Sequence, residues 1–330
     1  MTAVAVPVQR RDKVGWNDLV WLTWRQHRWM VGVVAAILGV GAVLCLVLAA
    51  VVDATGETEV LGGQVGVYGL AQLAALVPLG VGAVIAVFWA APLVSREYEQ
   101  KTSVVVWSQD LTPARWVLGK IVLLGVPAIG LAAGFGAAVR QLMAVVNELR
   151  PLEYRPFRPF EQQVFEAAPL VQVGYAAFGF ALGLALSTLT RRTVVAMGLT
   201  LGGFIVARGI VMAAWRPYYQ TPVREVWPYE INGSRPGFSG PDDLRMYVDS
   251  GYLDAAGNEV SFPTVCARTA RNGDDFQQCM VDHGIVNNFS DYQPVDRVGA
   301  FQVTEFFVFA VPAVALLVFA YYWVKRSHRI

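Results

Sequence analysis

The chain predicts an all-α polytopic membrane protein: six transmembrane helices with a small disulfide-linked extracytoplasmic domain between helices five and six. Three observations predict it: apolar stretches of spanning length, a composition too apolar for a soluble fold, and fourteen basic residues gathered on one face in short segments. The stretches are Met30 to Val52, Leu70 to Val94, Val117 to Val139, Leu170 to Leu189, Val194 to Trp215 and Phe301 to Val324. A helix rises about 1.5 Å per residue, so each is of the length that crosses a hydrocarbon core of roughly 30 Å. Hydrophobic residues make up 55% of the chain and mean hydropathy is +0.45. They are gathered into spans instead of spread over one soluble core.

Residues 1–29 precede the first span and read as a cytoplasmic interfacial helix. Asn17 can cap a helix through Trp29, and Trp16, Trp21, Trp24 and Trp29 with Arg25 and Arg28 are what lipid headgroups favour. The first span lies behind this polar stretch and exceeds the roughly 7–15 residues of a signal-peptide core, so it reads as a retained anchor. Residues 30–215 hold helices one to five, 216–300 the extracytoplasmic domain, 301–324 helix six and 325–330 a cytoplasmic tail.

Lys and Arg mark the cytoplasmic side. Fourteen share one face: Arg10, Arg11, Lys13, Arg25 and Arg28 before span one, Arg96, Lys101, Arg115 and Lys120 around the second connection, Arg191 and Arg192 between spans four and five, and Lys325, Arg326 and Arg329 in the tail. The connection between spans one and two carries only Asp53, Glu57 and Glu59. Both termini are therefore expected in the cytoplasm, with the chain in the plasma membrane.

Two outer segments follow from this. Arg140 to Pro169 balances Arg140, Arg150, Arg155 and Arg158 against Glu148, Glu153, Glu161 and Glu166, and its prolines and aromatics suggest a chain lying along the headgroups. Arg216 to Ala300 is far longer than an ordinary connection and carries seven basic and twelve acidic residues, so it reads as a folded ectodomain. Cys266 and Cys279 fall within it while Cys45 sits in the first span, which leaves one plausible intramolecular pair, on the oxidising side. Two buried thiols are the alternative; a zinc site is poorer, with only His283 nearby and no CxxC. Gly273-Asp274-Asp275 through His283-Gly284 reads as a short capped helix carrying Cys279, Ser239 to Asp243 opens a second, and the remaining Pro and aromatic residues indicate turns and short strands.

Catalytic signatures are missing. The chain has no GxxxxGK[ST] phosphate loop, no HExxH, no GxSxG and only three histidines, His27, His283 and His328, on separate segments. Two charged residues fall within spans, Arg208 in the outer half of span five and Glu305 about one turn into span six. A charge at membrane depth costs about 2.5–3.5 kcal/mol on insertion scales and turns toward a bundle interior, a cavity or a partner. Arg208 either snorkels outward or pairs with Glu305 for structure, or the two belong to a translocation path. Small residues, Gly179-x-x-x-Gly183 among them, suit close helix approach, and Pro127 and Pro312 are candidate kinks.

The most specific connection is 95–116. It opens on Ser95-Arg96-Glu97-Tyr98-Glu99-Gln100-Lys101-Thr102, carries a short apolar piece with Trp107, and closes on Thr112 as helix cap with Pro113 at the first position, then Arg115 and Trp116. A surface helix pressing on a neighbouring protein has this form, and so does an ordinary interfacial turn.

Six spans with both ends inside, the acidic-basic start of that loop, and Thr112-Pro113-Ala114-Arg115-Trp116 leading to Gly119-Lys120 resemble the permease subunit of an ABC-2-type ABC transporter. The likeness runs from Trp16 to about Leu201, and Trp24-Arg25-Gln26-His27-Arg28 is similar to actinobacterial members. The resemblance implies a dimer of permeases, separate ABC ATPase subunits that bind ATP and Mg on the cytoplasmic face, and an N-terminal helix along the membrane. It also implies a coupling loop here comprising Glu97, Glu99, Lys101, Thr102, Trp107 and Arg115. No cofactor is expected in this chain, and membrane lipids but no nucleic acid among its partners. The expected function is the membrane-spanning half of an ATP-driven exporter; the alternative is a membrane scaffold or sensor whose ectodomain binds a ligand or partner without transport.

Overall fold

A computed structural model describes residues 15–57, 59–60, 65–100, 112–150, 155–230 and 244–327. Among the described residues six helices are long and apolar enough to cross a membrane: Trp16–Thr55, Val67–Glu99, Arg115–Glu148, Pro169–Thr190, Thr193–Tyr218 and Val295–Arg326. They are called spans one to six. Odd and even spans run in opposite directions, which places the connections 100–112 and 191–192 at one end of the bundle. The hairpin β1 (Glu59–Val60) with β2 (Val65–Gly66) and the sheet domain lie at the other end.

The fourth span is the axis of the bundle. It is the most enclosed, packing against spans two, three, five and six, whereas the first presents most of its surface outward. Lipid supplies no hydrophobic drive for helices to associate, so close backbone approach must do it. Gly179 and Gly183 provide that approach: a Cβ built on Gly179 would stand 2.7 Å from the Gly82 carbonyl oxygen, and one on Gly183 2.5 Å from that of Ala86. On the opposite side, a Cβ on Gly174 would meet the Phe306 Cα of span six at 3.2 Å.

Proline shapes three of the spans. Ring closure removes a backbone donor and crowds the carbonyl four residues back. The helix widens into π turns at Ile85–Ala90, Ile121–Gly125 and Val211–Trp215, each ending two residues before Pro92, Pro127 or Pro217. Pro127 was the expected kink in span three; Pro312 lies within an uninterrupted helix. In span two the ladder restarts as Pro92–Glu99, whose Val94 and Ser95 amides are among the orphan donors of a new helix start. Ser187 of span four accepts from both, at 3.2 and 2.7 Å.

The N-terminal stretch differs from its expected form. No break separates it from the first span; Trp16–Thr55 is one helix that starts behind Gly15 instead of at Asn17, because nothing between Trp16 and Gly32 removes a backbone donor. The connection after span three differs too. Its helix continues to Glu148, and residues 155–168 fold back against the bundle instead of spreading along it. Asn147 brackets Phe157 with two hydrogen bonds, donating to its carbonyl at 2.8 Å and accepting from its amide at 3.1 Å. Phe157, Phe165 and Glu166 are buried.

Between spans five and six the all-α class gives way to the short strands expected there, which join into one sheet. Strands β3 (Val223–Pro228), β4 (Met246–Leu253), β5 (Glu259–Val260) and β6 (Asn287–Gln293) form an antiparallel sheet in the order β3-β6-β4-β5. Two-residue alternation in Val223-Arg224-Glu225-Val226-Trp227 carries the strand signal, but runs this short between prolines and glycines are easily read as turns. The β4–β5 turn needs φ 82° at Gly257. The Asp254 carboxylate accepts from the amides of Ala256 and Asn258 at 2.9 and 2.8 Å, and these bonds hold it below the usual carboxylate range. The expected helix appears as Gly273–Asp282, with Asn272 as its cap. Cys266 and Cys279 are joined across a Cα separation of 5.6 Å and pack with Met280 and Ile285. The helix expected to open at Ser239 falls mostly outside the described residues, and Met246 onward is strand.

Gly183→Leu drives a side chain into the Ala86 carbonyl and destabilises the bundle by about 1–3 kcal/mol or more. Gly198→Leu, where an added Cβ meets nothing within 4 Å, is the matched control. Thermal unfolding in detergent should show a lower midpoint for the first and an unchanged one for the second.

Candidate functional site: two polar junctions in the helical bundle

At the end of the bundle that carries the connection 100–112, the restarted helix Pro92–Glu99 is tied to three neighbouring spans. Lys120 of span three is buried, with 2% of its side chain exposed. Its ammonium has three donors. It donates to the Leu93 carbonyl at 2.7 Å and to the Glu97 carboxylate, and lies 4.3 Å from the centre of the Trp116 ring. Ser187 of span four caps the helix start, as above. Glu99 reaches span five, accepting from the Thr193 amide at 2.9 Å and the Thr193 hydroxyl at 2.7 Å. An acidic side chain at a helix N-terminus satisfies an orphan donor and opposes the positive end of the helix dipole. Between spans four and five, Arg191 adopts φ 53° and closes the tight turn expected on Arg191 and Arg192.

Glu97 and Glu99 thus sit on one short helix but face different spans. Arg115 begins span three behind the Thr112 cap, with its guanidinium 5.6 Å from the Trp16 ring centre. Lys101, Thr102 and Trp107 lie outside the described residues. Lys120 was legible as a basic residue near the loop, but its burial was not.

The second junction lies at the sheet end. Glu305 of span six, 1% exposed, is bound by Arg216 at the end of span five, with Nε to Oε2 at 3.0 Å and Nη2 to Oε1 at 2.6 Å. Tyr175 of span four donates to Glu305 Oε1, and Tyr219 donates to Oε2 at 2.9 Å. Arg216 also contacts Glu166 at 3.3 Å, and Arg208 pairs with the other Glu166 oxygen while donating to the Leu79 carbonyl. The order of ion pairs is Arg208, Glu166, Arg216, Glu305.

Of the readings open for Arg208, the pairing with Glu305 is therefore replaced by one with Glu166. Each arginine takes the nearer carboxylate, and the folded-back connection brings Glu166 between them. Glu166 was hidden in a segment read as superficial, and Arg216 in one read as ectodomain. Burial pushes the Glu166 carboxyl up from its ordinary range, with Arg208 and Arg216 pulling it down. Burial and the Glu305 charge push the Tyr219 phenol well up, so its hydroxyl remains a donor. Gln172 completes the frame, donating to Pro78 of span two at 2.9 Å and to the Glu166 carbonyl at 2.8 Å.

Among the described residues one group has metal-ligand spacing, Cys266, Cys279 and His283. His283 Nδ1 stands 3.6 Å from each sulfur, but the sulfurs are bonded to one another, which leaves a single imidazole donor.

Six spans joined by buried polar junctions define a multi-pass membrane protein. Residues 55–216 match the family described as ABC-2 membrane transporter related. This match over about half of the chain supports an ABC-2-type permease. The match covers spans two to five with both arginines of the sheet-end junction, and leaves span one, the sheet domain and span six outside. No curated protein and no solved structure matches the chain.

Removing one member of a buried ion pair leaves the other uncompensated, at a cost of about 3–5 kcal/mol. Glu305→Gln should cost stability of that order, read as a lower thermal midpoint in detergent. In an Arg216→Gln background the same change should cost much less, because the charge it would strand is already gone.

Proposed function

We propose that this chain is the membrane-spanning permease subunit of an ATP-driven exporter. It works as a dimer in the plasma membrane with both termini cytoplasmic, and separate ATPase subunits dock where the connection 100–112 emerges. ATP and Mg are bound by those partners, in keeping with a chain that has no phosphate loop of its own. The fourteen basic residues on the terminal side support the orientation.

The observation that carries this reading is the anchoring of Pro92–Glu99 to spans three, four and five. A push on the connection 100–112 enters the bundle through Glu99 on one side and the Thr112-capped helix on the other. Because Glu97 holds Lys120, Glu99 holds Thr193 and Ser187 holds the restarted helix, a shift of that helix moves spans three to five together. A surface turn with no role in coupling has no need of a buried lysine and two interhelical caps. In this reading Lys101, Thr102 and Trp107 form the docking face, Glu97 and Glu99 transmit its displacement, and Arg208 with Glu305 borders the path.

Mild-detergent purification followed by mass spectrometry should recover an ATPase with the chain; a preparation that contains only this polypeptide would favour a scaffold or sensor. In the assembled complex Glu97→Lys should strongly reduce transport-linked ATP hydrolysis while membrane insertion is retained. The exchange Glu97→Lys with Lys120→Glu should restore part of the loss. Coupled hydrolysis unaffected by either change would remove the helix from the coupling route.

A further inference from the structure

Spans two and five leave between them a membrane-facing groove of about 420 Å³, within the roughly 300–1,000 Å³ typical of small-molecule sites. Leu79, Ala83, Phe204, Ile205 and Met212 make it apolar; Gln162 and Arg208 are its polar lining. Its depth can be placed from the fourth span, whose 22 residues are about 33 Å long and so nearly match the hydrocarbon layer. Pro169 then marks the sheet-side boundary of that layer. Glu166, which holds the Arg208 guanidinium, lies three residues before it, so the guanidinium stands at headgroup level. Phe204, Ile205 and Ala83 continue the groove below, where acyl chains lie.

The charge at this height has a direction. Glu166 is fully buried, with 0% of its side chain exposed, whereas 16% of the Arg208 side chain is exposed. The carboxylate lies behind and the cation fronts the groove. Two of the five guanidinium donors are accounted for by Glu166 and the Leu79 carbonyl, leaving others for an anion. Gln162, also exposed, adds an amide beside it.

We propose that this groove binds an anionic phospholipid of the sheet-side leaflet, with its phosphate on Arg208 and Gln162 and one acyl chain along Phe204, Ile205 and Ala83. The geometry matches how basic side chains between transmembrane helices recognise acidic headgroups. The site requires neither an ATPase nor a transport cycle, so its failure and that of the coupling reading are separable.

The test uses the full chain in nanodiscs of phosphatidylcholine with a minor fraction of phosphatidylglycerol, then detergent extraction and mass spectrometry of the retained lipid. Wild-type protein should retain phosphatidylglycerol above its bulk share, and Arg208→Gln should lower that enrichment about tenfold, as for a lost charge-assisted bond. Because Arg208 also supports the bundle, Gly209→Leu is the second variant. An added Cβ there meets nothing within 4 Å, so leucine fills the groove without disturbing its partners, and enrichment should fall equally. Gly202→Leu, equally open but not lining the groove, should retain it. A photo-crosslinker at Ile205 should yield a phospholipid adduct. Equal lipid ratios in wild type and Gly209→Leu would overturn the proposal, and so would an Ile205 adduct to a second copy of the chain or to another protein.

Discussion

The structure depends on one constraint: inside a bilayer, whatever polar group a helix frees must be met by another helix, because no water is there to meet it. Pro92 breaks the ladder of span two, and Ser187 of span four accepts the amides released. Lys120 enters the bundle as a charge, and Glu97, the Leu93 carbonyl and the Trp116 ring surround it. At the opposite end two arginines and two glutamates alternate, with tyrosine hydroxyls closing the remaining lone pairs of Glu305. Each of these groups is thereby a link between spans, and these links sit at the two ends of the bundle where such groups are least costly to bury.

The middle of the bundle is held differently. Spans two and four meet through glycine, with the carbonyls of Gly82 and Ala86 in the space a side chain would take. Close apposition at the centre is thus combined with charge at both ends, where Arg216 contacts Glu166 and Glu305 together.

How much of this was legible in the sequence follows the kind of signal each element carries. Spans were readable because twenty apolar residues have few other meanings, and Thr112-Pro113 announced its helix start because cap and proline preferences are local. Arg208 and Glu305 stood out as charges in apolar runs, but not who meets them, since that depends on where Glu166 is carried by a connection without periodicity. Lys120 fell at the edge of a span, where snorkelling and burial give the same sequence. Strands β3 and β6 were missed as a pair because a ladder between residues 59 to 69 positions apart leaves no short-range trace. The helix from Trp16 was divided by composition where its backbone is not.

The sheet has a mechanical consequence for the spans that enter it. Span five runs into β3 and span six emerges from β6, and these two strands pair from Val223 with Tyr292 to Pro228 with Asn287. Gln293 adds a clamp, donating to the carbonyls of Pro217 and Gln220 at 3.0 and 2.7 Å. Spans five and six are therefore pinned at one tip, and parting them there would require unzipping the ladder. Any swing between them is that of a pair of shears hinged beside Arg216 and Glu305, with its widest travel at the opposite tips near Thr193 and Arg326.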